Sequence, residues 1–224
     1  MRAHTPRFLI AVATLLLSAH AQSSSFSFSE EEAKTKAGDA PSAGKGAAVS
    51  SACRDSLRQR KVMVVIGQRS TQGTDASQGT YSPHFQAINK RLQKYGFNTY
   101  TQEEITRQIA QAEIDAYFRN DPDAAINASK KMGADFILRG LISSRTATNP
   151  VLRIPEVYIN MGFTLTAANG KTISETSASA DSYSGTDTLG MALTLVNEQA
   201  DGVVARLAND YCRHATSATK QKSK

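Results

Sequence analysis

The chain has 224 residues, with 26 Lys and Arg against 20 Asp and Glu, and only two cysteines. Residues 53 to 212 carry 17 basic and 16 acidic side chains, while Arg213, Lys220, Lys222 and Lys224 load the C-terminus. A nucleic-acid partner calls for basic residues gathered on one surface or helix, so none is expected.

The first residues read as an export signal. Arg2, His4 and Arg7 precede the apolar run Phe8 to Leu17, interrupted only by Thr14, and Ser18 to Ala21 then supply small side chains. Basic, apolar and small residues in that order form the secretory pattern, and the run is too short to cross a bilayer. Residues 1–21 are expected to be a signal peptide cleaved after Ala21, leaving a soluble periplasmic protein. No later stretch approaches the roughly 20 apolar residues of a membrane helix, so no membrane span is expected. Residues 22–52, rich in Ser, Ala, Gly, Lys and Glu, hold two large apolar side chains, Phe26 and Phe28. They read as a flexible linker, because little apolar burial offsets their ordering entropy.

Cys53 and Cys212 bracket the expected folded domain, 53–213. In an oxidising compartment an even pair reads as a disulfide. It would tie the segment before the first strand to the last helix, a closure that stabilises by roughly 4–5 kcal/mol on the chain-entropy model.

Lys61 to Ile66 is a β-branched apolar run suited to a central strand buried on both faces. A polar loop, Gly67 to Thr80, follows it. Ser82-Pro83 starts a helix whose apolar residues Phe85, Ile88, Leu92 and Tyr95 recur at helical spacing until Gly96. Phe97 to Tyr100 fits a second strand. Thr101 and Glu104 form a capping box for a helix lined by Ile105, Ile109, Ala112 and Ala116. Asp121-Pro122 starts another helix that stops at Gly133. Asp135 to Ile142 is a third strand, and Glu156–Ala167 with Lys171–Tyr183 flank the hairpin turn Asn169-Gly170. In the first arm Val157, Ile159, Met161, Phe163 and Leu165 alternate with smaller or polar residues, so one face is covered and the other wet. The Ser- and Thr-rich second arm reads as an edge strand. Leu189, Leu193, Val196, Ala200, Val203, Leu207 and Tyr211 line a long final helix, and a disordered basic tail is expected over 214–224. The fold class is α/β (α+β): a single mixed sheet packed by helices, in the order β-α-β-α-α-β-β-β-α.

The chemistry of catalysis is not visible. Beyond the signal the chain has two histidines, His84 and His214, and nothing sets a nucleophile or carboxylate beside either. With both cysteines bonded, no metal-ligand spacing remains, and no phosphate-loop or nucleotide fingerprint appears. No enzyme activity, cofactor or metal is expected. The polar loop after the first strand lies where open α/β sheets often bind ligands, which makes Gln68, Arg69 and Ser70 the candidate partner or ligand contacts.

Three features together, Lys61 to Ile66, the run Ala128-Ser-Lys-Lys-Met-Gly-Ala-Asp135 and Phe136-Ile-Leu-Arg-Gly140, resemble the envelope family that includes the curli secretion protein CsgG and the penicillin-binding-protein activator LpoB. That fold is akin to the N-terminal domain of TolB, and the likeness spans about residues 58 to 212. The resemblance implies an accessory domain that binds another envelope protein and assists a cell-wall synthase, a flagellar assembly or a secretion apparatus. Two departures stand out. Ala21-Gln22 replaces the lipoprotein cysteine, so no lipid anchor is expected, and the Ser-rich hairpin arm does not suit a membrane-spanning strand. The alternative reading is a periplasmic small-ligand or glycan-binding protein, or a hydrolase, using the Gly67–Thr80 loop.

Overall fold

The computed structural model describes residues 49–70, 73–78, 82–119 and 121–222. The expected signal peptide, and residues 22–48 of the expected linker, lie outside them. In chain order the elements are α1 (Ser51–Arg58), β1 (Lys61–Ser70), β2 (Gly73–Asp75), α2 (Ser82–Tyr95), β3 (Asn98–Thr99) and α3 (Gln102–Gln108). They continue with α4 (Gln111–Phe118), α5 (Pro122–Met132), β4 (Phe136–Thr148), β5 (Pro155–Ala167), β6 (Thr172–Tyr183) and α6 (Thr188–Lys222). The strands form one mixed sheet in the order β2-β1-β4-β5-β6, with β3 also paired to β1. β1 is parallel to β3 and β4, while β4, β5 and β6 are joined antiparallel. The fold is α+β, as the hydrophobic periods imply.

Local chemistry explains most boundaries. The Thr101 hydroxyl accepts from the Glu104 amide, and the Glu104 carboxylate accepts from the Thr101 amide, closing the capping box of α3. Asp121 caps α5 ahead of Pro122, and Gly133 ends it with φ 63 in the left-handed region. At the β5–β6 turn only Gly170, not Asn169, has positive φ. The Ala167 carbonyl accepts from the Gly170 amide, and the Ala167 amide donates to the Lys171 carbonyl. This is a three-residue loop with a left-handed glycine, not the two-residue turn that would need positive φ at both positions.

Several expectations change. A helix, α1, begins at Ser51 inside the expected linker, capped by the Ser50 hydroxyl, which accepts from the Cys53 amide. The single helix expected after Thr101 is two, because Ile109 adopts extended backbone (φ −112, ψ 123). That break lets Ile105, Ile109 and Ile114 all reach the core. β1 continues to Ser70 and folds back as β2 where a loop was expected. Beyond it Gln78 is buried, and its side-chain amide both accepts from the Ile66 N–H and donates to the Ile66 carbonyl. The glutamine thereby stands in for a strand partner on the outer side of β1. Leu189, expected at the head of the apolar stripe, is 81% exposed, Leu193 is half-buried, and the stripe is buried from Val196 onward. α6 itself runs to Lys222, so residues 214–222 continue a helix where a disordered tail was expected.

Met63, Val65 and Ile137 are buried on one face of the sheet, while the larger part of the core lies on the other, which α6 covers. Val157, Ile159, Met161, Phe163 and Leu165 all point into it, each at most 2% exposed, across from Leu138 and Ile142 of β4. Gly140 is the residue of β4 opposite Phe163, and a Cβ there would lie 2.5 Å from the Phe163 ring and 3.2 Å from Ile66. The glycine is what lets the ring lie flat over β4. Gly140→Ala should therefore destabilise the domain by about 1–3 kcal/mol through overpacking, read as a lower urea midpoint at unchanged slope.

The two ends of the domain meet beside this core. Cys53 of α1 and Cys212 of α6 form a disulfide, with Cα atoms 5.7 Å apart across 159 residues of sequence. The Ser56 hydroxyl lies 2.9 Å from the Tyr211 hydroxyl, and Phe97 and Phe136 meet the Tyr211 ring edge-on at 6.4 and 5.5 Å. A Cys53→Ala/Cys212→Ala variant should lose stability on the order of 4–5 kcal/mol, measured by denaturant unfolding against the oxidised protein.

Candidate functional site

The second face of the sheet is covered unevenly. Over β1 it is closed: Phe118 of α4 packs on Gly67, where an added Cβ would come within 2.8 Å of the ring. Over β4, β5 and β6 it is largely open. Register places the side chains of this face in rows, Arg139–Thr164–Glu175, Leu141–Gly162–Ser177, Ser143–Asn160–Ser179, Arg145–Tyr158–Asp181 and Ala147–Glu156–Tyr183. Alternation makes these rows polar because their strand neighbours are the core residues.

Where the covered and open parts meet, a cleft of about 250 Å³ lies between α4, α5 and the sheet. Tyr117, Arg139, Thr164, Thr166, Ile126 and Glu175 are among its lining residues. The Arg139 guanidinium stands 5.4 Å from the centre of the Tyr117 ring, a cation–π arrangement. Burial raises the Tyr117 phenol above its ordinary value, against the opposing pull of Arg139 and of a hydrogen bond with Thr166. Arg139 interrupts the apolar run of β4, and a charged residue amid Phe136-Ile-Leu and Leu141-Ile is the sequence signal that could have marked this cleft.

The residues singled out from sequence lie elsewhere. Gln68 pairs through its main chain with Asp75 on one side and Ile142 on the other, Arg69 with Thr74, and Ser70 with Gly73. The side chains of Arg69 and Ser70 are exposed, and Ser70 donates to the Gly73 carbonyl at 3.3 Å. They are the end of a hairpin ladder, and none of the three lines the Arg139 cleft.

A further exposed feature was missed from sequence. The β4–β5 connection, Asn149 to Ile154, carries Val151, Leu152 and Ile154 at 84, 56 and 38% exposure. It is a built turn. The Asn149 side-chain oxygen accepts from the amides of Val151 and Leu152, the Asn149 carbonyl accepts from the Arg153 amide, and Arg153 is held at φ 54. A positive φ is uncommon for a residue with a side chain, so the turn is ordered against a local cost. Tyr183 of β6, also exposed, lies beside it, its hydroxyl 3.4 Å from the Asn149 amide nitrogen. The signal was there to read: apolar residues between Pro150 and Pro155 that follow neither helical nor strand alternation.

No family model matches the chain, and no curated protein matches it. Among solved structures it is similar to lipoprotein GNA1162 from Neisseria meningitidis, at 18% identity over 62% of this chain and 96% of that one, TM-score 0.44. It is also similar to the PelC dodecamer from Paraburkholderia phytofirmans, at 15% identity over 66% and 88%, TM-score 0.38. The C-terminal domain of LpoB from Salmonella enterica is a third, at 12% identity over 58% and 93%, TM-score 0.34. At these scores the likenesses carry no weight for function. Among the described residues no helix is long and apolar enough to cross a membrane.

His84, in the first turn of α2, is half-buried, and desolvation lowers its imidazole below the ordinary value. A depressed histidine favours folding above the unfolded value and loses that contribution as pH falls, since the unfolded chain then binds more protons. Melting temperature should drop as pH is lowered from about 6.5, and His84→Gln should flatten that slope in a scanning-fluorimetry series.

Proposed function

We propose that this chain is a non-enzymatic, exported accessory domain that binds another protein of the cell envelope and assists a cell-wall synthase, flagellar or secretion machine. The observation that carries this reading is the ordered apolar turn at the end of the β4–β5 hairpin. Singly exposed apolar residues are ordinary. A turn that holds three aliphatic side chains outward at a backbone cost, beside an exposed tyrosine, is a contact surface in search of a partner. The sequence resemblance to envelope accessory proteins points the same way, and the expected signal peptide supports the same compartment.

The alternative, a small-ligand or glycan binder, could also use the Arg139 cleft, which at about 250 Å³ falls below the roughly 300–1,000 Å³ of ordinary ligand pockets. The protein-binding reading is preferred because the apolar turn gives it a built surface.

Fully burying an aliphatic side chain stabilises by about 1.5–3 kcal/mol, so Val151→Ser with Leu152→Ser should weaken partner binding by on the order of a hundredfold. Both side chains are exposed in the free domain, so its own stability should move by no more than about 0.5 kcal/mol. Capture from crosslinked envelope should retain a partner on the unaltered protein and lose it on the double variant. Equal retention by both would overturn the assignment of the turn as the contact.

A further inference from the structure

The outer side of β6 is a sheet edge. Among the described residues no strand pairs with it, and β5 occupies its inner side along Glu156 to Thr166. Arg206 of α6 reaches round the first half of this edge. Its side chain donates to the Thr176 hydroxyl and to the Ser177 carbonyl, both at 2.7 Å. The Ser177 carbonyl therefore faces away from β5. Main-chain groups in an antiparallel strand alternate in direction every residue, so the N–H and C=O groups of Ser179 and Asp181 face outward as well. The inward bond at the strand's end agrees with this phase, because the Ser184 amide donates to the Pro155 carbonyl.

The edge thus has a guarded half and an open half. The open half, Ala178 to Asp181, has small side chains that let another backbone approach. Its one charged side chain is Asp181, which projects on the open face, as Glu175 does in the guarded half, and neither forms an ion pair among the described residues. The cation of the same row, Arg145, forms no ion pair with Asp181. The Arg145 guanidinium sits 3.9 Å from the centre of the Tyr158 ring, whose phenol is raised chiefly by its hydrogen bond to Glu156. Asp181 ends that row at the edge.

A second copy of the chain gains little at this edge. Antiparallel β6–β6 pairing centred on Ala178 would meet Arg206 at Ser177 and set Glu175 of each strand opposite Asp181 of the other, like charges that destabilise. Pairing centred on Ala180 would set Asp181 opposite Ser179 and bring no cation to the carboxylate. We infer that the Ala178–Asp181 edge of β6 accepts an extended, basic segment of a partner protein as an added strand, with a Lys or Arg opposite Asp181. The residue two positions along on the same face would lie against Tyr183, beside the apolar turn, and would be apolar. The mode is strand addition, in which main-chain bonds provide affinity and alternate side chains provide selectivity. The inference rests on the protein-binding reading above and names the chemistry of the segment bound.

The test uses the capped heptapeptide Thr-Val-Thr-Lys-Thr-Val-Thr, whose lysine and two valines share one face, and the same peptide with glutamate for lysine. Added to the labelled full domain, the lysine peptide should shift amide resonances confined to Ala178–Tyr183 and slow hydrogen exchange at Ser179 and Asp181. Ser179→Pro removes an outward N–H and no bond to β5, and proline is tolerated on the open side of an edge strand. It should abolish those shifts while the remaining spectrum stays folded. Asp181→Lys should weaken the lysine peptide by about tenfold and favour the glutamate peptide. This exposed substitution serves as the readout if the proline variant does not fold. Binding that survives Ser179→Pro, equal binding of both peptides, or a sedimentation dimer that Ser179→Pro dissolves would each overturn the inference. Peptide binding here and loss of capture at the Val151–Leu152 turn are read on separate residues, so failure of one is distinguishable from failure of the other.

Discussion

The sheet has two faces, and among the described residues a long helix covers only one of them along its whole length. α6 lies over β5 and β6 with Val196, Ala200, Val203, Val204 and Leu207 fully buried, and the inward residues of β5 match it. On the other side α4 and α5 reach β1 and the near part of β4, with Phe118 seated on Gly67, and stop there. Every strand residue beyond that line alternates between a dry side and a wet one, so the β4–β6 extension has to be polar on its open face. The Arg139 cleft marks the boundary of coverage, the rows ending in Glu175 and Asp181 lie outside it, and the apolar turn stands at the far end. The candidate contacts are consequences of incomplete layering.

This division explains which parts were legible in the sequence. The core side follows local rules: a period of two in Val157 to Leu165, a period near 3.6 in α2 and α6, and caps at Thr101, Asp121 and Gly133. The cysteine pairing followed from the expected compartment and from number. What escaped depends on long-range contacts that leave little local trace. Gln78 is buried because it completes the main-chain bonds of Ile66, twelve residues earlier, and no period announces that. The break at Ile109 is set by which isoleucines reach the core, a choice the helical pattern leaves open. Leu189 fits the α6 stripe by spacing yet lies outside the covered area, since the stripe predicts a direction and not where the partner surface ends.

The same reasoning bears on the residues singled out from sequence. A polar stretch after a central strand suggested a ligand loop at Gln68, Arg69 and Ser70, but its backbone groups are taken up by a hairpin with β2. The more informative signals were residues breaking the local pattern: an arginine within the apolar β4 run, and aliphatic side chains held between two prolines. Pattern violations of this sort cost stability or order, so they are where function is worth seeking.

An exposed strand edge beside an apolar turn is also a hazard, because identical copies could pair through it. The chain limits that risk by two devices acting over different lengths. Arg206 occupies the outward carbonyl of Ser177 and blocks continuous pairing along β6, so only a short stretch stays open. Glu175 and Asp181, six residues apart on one face, also oppose the symmetric register centred on Ala178, which would set each against the other. Neither device repels a short segment of opposite charge, which needs only the Ser179–Asp181 groups and gains from the carboxylate. Protection against self-association and acceptance of a basic partner are thus one arrangement of charge, viewed by two different strands.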